Sequence, residues 1–291
     1  MTPPNTVREI LAKTTDFFAG KGIPSARLDA EVLLAHVLRC DRLRLYLDMD
    51  RPLTADELEQ ARPLVRRRGN REPVAYILGR KEFHGRDFVV RPGVLVPRPD
   101  TEILVEQAIA EILQRFGALE EPVRVLEFGV GSGAIAVTLA AEIPLAVVTA
   151  TEVEPEAART ARENAETHGV ADRVTVRLQP DFAELPESFH ALVSNPPYIR
   201  WEDESTLAPD ILNHEPHVAL FADENGLKWY RFLATEARRM LVPGGLLVVE
   251  IGHDQAVDVR GIFEVAGLTG VRVEKDYAGH DRVVLAEQPG A

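Results

Sequence analysis

The feature that most constrains the fold is an alternation of short apolar runs and amphipathic segments that begins near residue 123. The apolar runs predict buried strands at 123–128, 146–151, 174–178, 191–194, 246–251, 271–273 and 282–285. Helical periodicity fills the intervals at 134–141, 154–168, 226–241 and 256–266. This alternation predicts an α/β fold, with a mostly parallel sheet covered on both faces. Ligands of such sheets bind at the carboxyl ends of the strands, so functional residues are expected there.

The N-terminal part of the chain has helical periodicity instead. Helices are predicted over 7–18, from an N-cap at Ser25 to residue 38, and from a capping box of Thr54 and Glu57 to Gly69. Pro63 lies inside the third of these and predicts a kink or a break. Together the three helices predict a small bundle.

A β-hairpin is predicted between the two parts. Two β-prone runs, 83–90 and 94–96, flank a turn at Pro92-Gly93. Asp100 or Thr101 is then expected to cap a helix that runs to Phe116. We therefore expect three regions: a helical domain over 1–82, a hairpin and linker helix over 83–120, and a catalytic domain over 121–291.

Charge also divides the chain. The net charge is −13, of which residues 1–90 contribute +3 and residues 91–291 contribute −16. This asymmetry indicates two parts with different surfaces. The acidic balance of the larger part argues against a polyphosphate partner such as a nucleic acid.

The first predicted strand runs into the glycine turn Gly129-Val130-Gly131-Ser132-Gly133. Glycines let a ligand approach the backbone closely, and Glu152, at the end of the next strand, can accept hydrogen bonds from a ribose diol. The turn also fits the loose dinucleotide fingerprint, so NAD and a purely structural turn remain open. Glu127 favours S-adenosylmethionine, because it would repel a pyrophosphate but could face a cationic amine or sulfonium.

The tetrapeptide Asn195-Pro196-Pro197-Tyr198 follows the fourth predicted strand. Two prolines hold the backbone extended and remove two amide donors. The Asn195 side-chain carbonyl and the Pro196 backbone carbonyl can then accept both hydrogens of a planar NH2 group, with Tyr198 as a flat wall. Two acceptors would localise electron density on the nitrogen and aim it at an electrophile. A rigid turn without chemistry is the alternative.

Asp181-Phe182 follows the third predicted strand and is expected at the same sheet edge. Phe182 could stack on an adenine and Asp181 could accept from its exocyclic amine. A helix cap and a core aromatic are the alternative.

These motifs resemble those of Rossmann-like methyltransferases that methylate planar nitrogens. Asn-Pro-Pro-Tyr is shared with N6-adenine DNA and RNA methyltransferases and with a ribosomal-protein glutamine methyltransferase. The flanking blocks resemble the release factor glutamine methyltransferases (PrmC, or HemK) over nearly the whole chain. These blocks are Glu72–Gly79, Glu82-Phe83, Leu95–Glu102, Glu215-Pro216, Ala219-Leu220, Glu250–Gly252 and Arg282-Val283.

The resemblance implies an N-terminal five-helix domain, a linking hairpin and a seven-stranded Rossmann-like domain. It implies methyl transfer from S-adenosylmethionine to the glutamine side chain in the Gly-Gly-Gln motif of peptide release factors. Residues 129–133 would bind the methionine part and Glu152 the ribose, while Phe182 would lie beside the adenine. Asn195–Tyr198 would hold the glutamine amide, with Arg98 also at the substrate. Glu127 in place of the commoner Asp, and His214 in place of an aromatic, are departures.

Two further functions stay open: a nucleic-acid adenine methyltransferase, which needs a basic groove, and a binding protein that uses S-adenosylmethionine as a sensor ligand. No apolar run approaches a membrane span and no secretory signal is visible. Cys40 is the only cysteine, which excludes an intramolecular disulfide, and the histidines lack metal-ligand spacing. We therefore expect a cytoplasmic protein without a metal.

Overall fold

The computed structural model describes residues 5–185 and 188–290. Their contacts divide the chain into two compact units. The helical unit comprises the residues up to Arg80 together with Ala208–His214. The sheet unit comprises Lys81–Leu207 and the chain from Glu215 onward. No helix in these described ranges is long and apolar enough to cross a membrane.

The helical unit packs around an apolar core to which Leu11, Phe18 and Leu33 contribute. Its helices are α1 (Val7–Gly20), α2 (Ala26–Leu38), α3 (Arg42–Leu47), α4 (Ala55–Gly69), α5 (Val74–Leu78) and, later in the chain, α9 (Pro209–His214). The three predicted helices are confirmed as α1, α2 and α4. The short helices α3 and α5 escaped sequence analysis because a stretch of five or six residues contains too little periodicity.

The predicted caps of these helices differ in outcome. The capping box is confirmed, because the Glu57 amide donates to Thr54 Oγ1 at 3.2 Å and the Thr54 amide donates to Glu57 Oε2 at 2.8 Å. Ser25 is the N-cap residue of α2, as predicted, but its side chain makes no capping hydrogen bond. Its hydroxyl donates to Asp29 Oδ2 at 2.9 Å instead. The structure shows no break at Pro63, which lies within the continuous helix α4.

Arg68 ties α9 into the helical unit. Its guanidinium is almost fully buried and pairs with Asp29 of α2 and with Asp210 of α9, both at 2.7 Å. A buried guanidinium needs such partners, since an unpaired charge in the interior costs several kcal/mol. The short segment Ala208–His214 is thus held among the N-terminal helices.

The hairpin is present, but its predicted turn is wrong. Strands β1 (Arg80–Phe83) and β2 (Arg86–Val89) pair around His84 and Gly85, whose φ angles are +49° and +72°. Positive φ at both central positions is typical of the tight turns whose twist matches that of a hairpin. The run 94–96 forms no strand, and the Val96 amide donates to Glu215. Histidine is an uncommon residue at the first position of such a turn, so the sequence signal was weak.

The sheet unit is built on seven strands in the order β10-β11-β9-β6-β3-β4-β5. The strands are β3 (Val123–Phe128), β4 (Ala146–Glu152), β5 (Val174–Leu178), β6 (Phe189–Ser194), β9 (Leu241–Glu250), β10 (Thr269–Lys275) and β11 (Asp281–Glu287). Strand β11 runs antiparallel to the other six strands of this sheet, which are parallel to one another. The predicted Rossmann-like α/β fold with seven strands is confirmed.

Helices cover both faces of this sheet. One apolar cluster packs α6 (Asp100–Phe116), α7 (Ala134–Glu142) and α8 (Pro155–Thr167) against it, and a second packs α10 (Lys228–Met240) and α11 (Ala256–Val265). The predicted helix to Phe116 is confirmed as α6, but neither Asp100 nor Thr101 caps it through its side chain, because α6 begins after Pro99. A two-stranded ladder of β7 (Ile199–Arg200) and β8 (Phe221–Ala222) lies apart.

The order of the strands locates the binding crevice. The chain runs outward from β3 through β4 to β5, and it then returns to the other side of β3 as β6. This reversal makes β3 a topological switch point, beside which ligands of open parallel sheets bind.

Candidate active site

A cavity lies at the carboxyl ends of β3, β4 and β6, as the switch point predicts. Residues from the three strand ends line it, namely Phe128, Gly129, Gly131, Thr151, Glu152, Asn195 and Pro197. Gly93, Leu95, Gln179, Pro216, Val218, Ala219 and Trp229 are also on its wall. The glycine turn, the acidic residue after β4 and the start of Asn-Pro-Pro-Tyr therefore meet in one site.

The glycine turn packs closely against the end of β4 and against α8. Gly131 has φ of +54°, and its amide donates to Glu152 Oε2 at 2.8 Å. Gly133 has φ of +85°, and a Cβ on it would lie 3.1 Å from Ala161 of α8. Both positions therefore favour glycine, which leaves the loop backbone open to the cavity.

Glu152 is held by backbone amides at the cavity wall. Besides Gly131, the amides of Val153 and Glu154 donate to its Oε1 at 2.8 and 3.0 Å. Three donors fix the carboxylate at the end of β4. Glu152 therefore lies on the cavity wall, and its predicted contact with a ribose stays a prediction.

Glu127 lies below the glycine turn and has no exposed surface. Neither of its carboxyl oxygens has a hydrogen-bond partner among the described residues. Burial, and secondarily the charge of Glu152, raises the pKa of Glu127 well above its ordinary value.

Asn195 presents its amide to the cavity from the end of β6. Ser194, the last residue of that strand, donates its hydroxyl to the Phe128 carbonyl at 2.9 Å, which joins the ends of β6 and β3. The Asn195 Nδ2 donates to Thr101 Oγ1 at 3.0 Å. Its donor is therefore engaged with α6, and its Oδ1 remains as an acceptor.

Pro196 and Tyr198 are not part of the cavity lining, unlike Asn195 and Pro197. The hydroxyl of Tyr198 donates to Glu250 Oε1 at 3.2 Å. Its backbone carbonyl accepts from Gln255 Nε2 at 3.1 Å and would lie 2.3 Å from a Cβ on Gly226. The structure therefore gives Tyr198 anchoring contacts, and its predicted role as a flat wall stays a prediction.

Glu250 is the buried acid behind the tetrapeptide. Burial raises its pKa to about 7, while a hydrogen bond with Thr101 and the charge of Arg282 act in the opposite direction. Burial also raises the pKa of Tyr198, and the charge of Glu250 adds to this effect. The tyrosine is therefore a hydrogen-bond donor and not a base at neutral pH.

Arg98 is engaged with a buried glutamate. Its Nη2 lies 2.6 Å from Glu215 Oε1, and Glu215 Oε2 accepts from the Val96 amide at 3.1 Å. Glu215 precedes Pro216 of the cavity wall. The structure thus gives Arg98 a positioning contact, and its predicted contact with a substrate stays a prediction.

The residues after β5 do not line the cavity. Phe182 is fully buried and packs edge-on against Phe128 at 5.9 Å, so its ring has no surface to stack on a ligand. This placement corrects the stacking prediction in favour of the core aromatic. Asp181 accepts from the Ala183 amide at 3.0 Å, which is a local turn contact.

Sequence analysis missed two residues of the site. Trp229, in the first turn of α10, supplies the aromatic wall and lies 5.0 Å from Phe128 between ring centres. Thr101 was expected only as a possible cap. The sequence pointed to a functional role for Thr101 through its place in the block Leu95–Glu102, but no spacing rule connects residue 101 to residue 195.

Within residues 5–185 and 188–290, no group of three or more histidine, cysteine, aspartate or glutamate side chains is arranged to hold a metal ion.

The switch-point cavity, with its glycine turn, ribose-type carboxylate and Asn-Pro-Pro-Tyr, defines a Rossmann-like methyltransferase. Family profiles agree, since one described as the PrmC N-terminal domain matches residues 9–79 and one described as the methyltransferase small domain matches residues 104–219. The chain belongs to the release factor glutamine methyltransferase family.

Curated relatives support this assignment over nearly the full length. The release factor glutamine methyltransferase of Geobacter sulfurreducens is 44% identical over 96% of this chain and 95% of its own. That of Chlorobaculum tepidum is 41% identical over 95% of each chain. A solved methyltransferase from Pyrococcus furiosus, 22% identical, shares the fold with a TM-score of 0.51 over 80% of this chain and 99% of its own.

Proposed function

We propose that this protein transfers a methyl group from S-adenosyl-L-methionine to the side-chain nitrogen of the glutamine in the Gly-Gly-Gln loop of peptide release factors. The observation that carries the proposal is the Asn195 amide, whose nitrogen is engaged by Thr101 while the residue itself lines the cavity. Family membership at 44% identity supports the choice of substrate.

The cavity fits this cofactor. Glu152, on the wall, has the charge and position to accept from a ribose diol, and the glycine turn admits a close approach of the methionine part. The two unpartnered oxygens of Glu127 match a cationic group. Trp229 offers the aromatic surface that Phe182 does not. S-adenosylmethionine supplies an electrophilic methyl group on a sulfonium, whose departure as a neutral thioether drives the transfer.

The tetrapeptide would activate the glutamine amide by orientation. Asn195 Oδ1 and the Pro196 carbonyl accept its two N–H groups, which favours electron density on nitrogen and aims its lone pair at the methyl carbon. The new N–C bond would form as the S–C bond breaks, which would leave S-adenosylhomocysteine as a neutral thioether, and the proton would then pass from the nitrogen to solvent water. No strong base is needed for this order of events.

A shallow aromatic trough continues from the cavity and fits a peptide loop. Val218 and Trp229 form walls of both spaces, and the trough continues along Trp201 and Phe221. Trp201 is 51% exposed and stacks on Phe221 with ring centres 4.5 Å apart. A glycine-rich loop has no side chains that would clash with such flat surfaces, so it can bring its glutamine deep into the site.

We further propose that the helical region, over 1–82, docks the body of the release factor. Residues 1–90 carry a net charge of +3, in contrast to −16 for the remainder. We assign residues 83–120 to the linker and residues 121–291 to the catalytic domain. The acidic balance of the catalytic part also supports a protein substrate without direct nucleic-acid binding. The single cysteine, Cys40, supports the cytoplasmic setting that we propose.

The proposal is tested by incubating the protein with labelled S-adenosylmethionine and either a whole release factor or its isolated Gly-Gly-Gln peptide. Mass spectrometry after proteolysis should locate one methyl group on the glutamine. We expect a lower KM for the whole factor, because docking adds contacts that the peptide lacks. Equal KM values would contradict the docking role of the helical region. A lack of transfer to either substrate would contradict the proposed activity.

A further inference from the structure

The Thr101 hydroxyl lies between the amide of Asn195 and the carboxyl group of Glu250. It accepts from Asn195 Nδ2 at 3.0 Å, and its proximity lowers the pKa of the Glu250 carboxyl group, whose Oε2 has no other hydrogen-bond partner among the described residues. Both Thr101 and Glu250 are buried, and they come from distant parts of the chain, at the start of α6 and the end of β9.

The direction of these hydrogen bonds follows from the chemistry of a hydroxyl. Threonine has one hydrogen to donate. Since its oxygen accepts from Asn195, its hydrogen is free for Glu250, whose carboxyl oxygens accept. The amide of Asn195 therefore has its nitrogen held on the Thr101 side, and its Oδ1 is the atom left for a substrate.

Orientation matters because the two ends of a carboxamide are nearly equal in shape but opposite in polarity. A rotated Asn195 would present an NH2 group to the NH2 group of the substrate, so two donors would face each other. A buried N–H donor without an acceptor destabilises the complex by more free energy than one hydrogen bond contributes. Thr101 is placed to prevent this rotation.

Glu250 also holds the other end of the tetrapeptide, since Tyr198 donates to its Oε1 at 3.2 Å. One buried carboxyl group thus contacts Tyr198 directly and Asn195 through Thr101. Arg282, which pairs with Asp276 at 3.2 Å and with Asp100 at 3.3 Å, contributes positive charge near this carboxyl.

We propose that Thr101 and Glu250 are positioning residues that fix the Asn195 carboxamide with its oxygen toward the substrate nitrogen. The proposal rests on the proposed function, because it requires that Asn195 accepts from the glutamine amide. Neither residue needs to touch the substrate.

The test compares Thr101→Val, which replaces the hydroxyl by a methyl group of similar size, with Thr101→Ser, which keeps the hydroxyl. Initial rates with a whole release factor give kcat and KM, and calorimetry gives the Kd for S-adenosylmethionine. We expect Thr101→Val to lower kcat/KM about tenfold or more, with the cofactor Kd changed less than about twofold. Thr101→Ser should recover most of the activity.

A second variant separates positioning from loss of fold. Glu250→Gln offers an amide nitrogen that can donate to Thr101 and reverse its hydrogen bond, so it should also lower kcat/KM. When combined with Thr101→Val, it should add little, because both changes act on the same amide. Circular dichroism melting confirms that each variant is folded at the assay temperature.

The outcomes distinguish this inference from the proposed function. A wild-type protein that fails to methylate release factors overturns the proposed function. A wild-type protein that methylates them, with Thr101→Val equally active, overturns only the positioning role. Fully additive losses in the double variant, or a parallel rise in the cofactor Kd, also contradict it.

Discussion

Arg98 and Glu215 form an ion pair in which the arginine Nη2 lies 2.6 Å from the glutamate Oε1. The Glu215 side chain is 2% exposed, whereas that of Arg98 is 32% exposed. The pair connects the segment before α6 with the segment that carries Pro216 to the cavity wall. Removal of the arginine leaves a buried carboxylate whose remaining partner, within the part of the chain that the structure describes, is the Val96 amide.

We therefore expect Arg98→Met to destabilise the protein by about 3 kcal/mol. Arg159→Met is the matched control, because Arg159 pairs with Glu156 on an exposed helix surface and its loss should cost less than about 1 kcal/mol. Urea denaturation of both variants gives the comparison. Equal effects would show that the Arg98 pair has no special structural role.

Asn195→Ala should separate catalysis from cofactor binding. Its carbonyl oxygen is the proposed acceptor for the substrate, so kcat should fall about a hundredfold or more, while the Kd for S-adenosylmethionine changes little. Gln114→Ala, at an exposed position of α6, removes an amide elsewhere and should leave both quantities unchanged. An equal loss of cofactor affinity in Asn195→Ala would reassign Asn195 to the cofactor site.

Glu127→Gln tests the cationic partner below the glycine turn. The unpartnered carboxyl group should ionise when a cation binds nearby, so the variant should bind S-adenosylmethionine about tenfold more weakly. S-adenosylhomocysteine has the amine but lacks the sulfonium charge. An unchanged affinity for it identifies the sulfonium as the partner, and a parallel loss identifies the amine. No change for either ligand would remove Glu127 from the cofactor site.

Glu250 predicts a pH dependence of stability. Its pKa in the folded protein is raised to about 7, above the value of 4.5 for an unperturbed carboxyl group. A raised pKa contributes stability that is fully present below pH 4.5 and is lost as the pH rises through 7. This loss should reach at most about 3 kcal/mol.

The measurement is urea denaturation of wild type and Glu250→Gln between pH 5 and pH 8, where Gln cannot ionise. The free energy of unfolding of wild type should fall relative to that of the variant across this range. Parallel curves would show that the carboxyl group does not titrate there.

The sequence was sufficient to predict the central sheet, because buried strands and amphipathic helices have different periods. The order of the strands in the structure then explains why the cavity lies beside β3. The turn at His84-Gly85 was missed because the β-prone run after Pro92-Gly93 suggested a strand, although Val96 instead donates to Glu215, which is 119 residues away. Local propensity contains no information about such a contact.

The motifs identified the residues of the site better than they identified their roles. Asn195 and Glu152 line the cavity as predicted, whereas Phe182 is fully buried and Tyr198 faces Glu250. Which face of a loop an aromatic ring occupies depends on packing with distant helices, as the approach of Phe232 to Phe182 at 5.6 Å illustrates. Trp229 therefore takes the wall position that the sequence assigned to Phe182.

The proposed acceptor of the methyl group is the side-chain nitrogen of the glutamine in the Gly-Gly-Gln motif. The most direct measurement is transfer of labelled methyl to a release factor and to its Gln→Ala variant in the Gly-Gly-Gln motif, with equal amounts of enzyme. The account predicts about one methyl group per molecule on the wild-type factor and none on the variant. Equal labelling of the Gln→Ala factor would contradict it, because the methyl group would then reside on another residue.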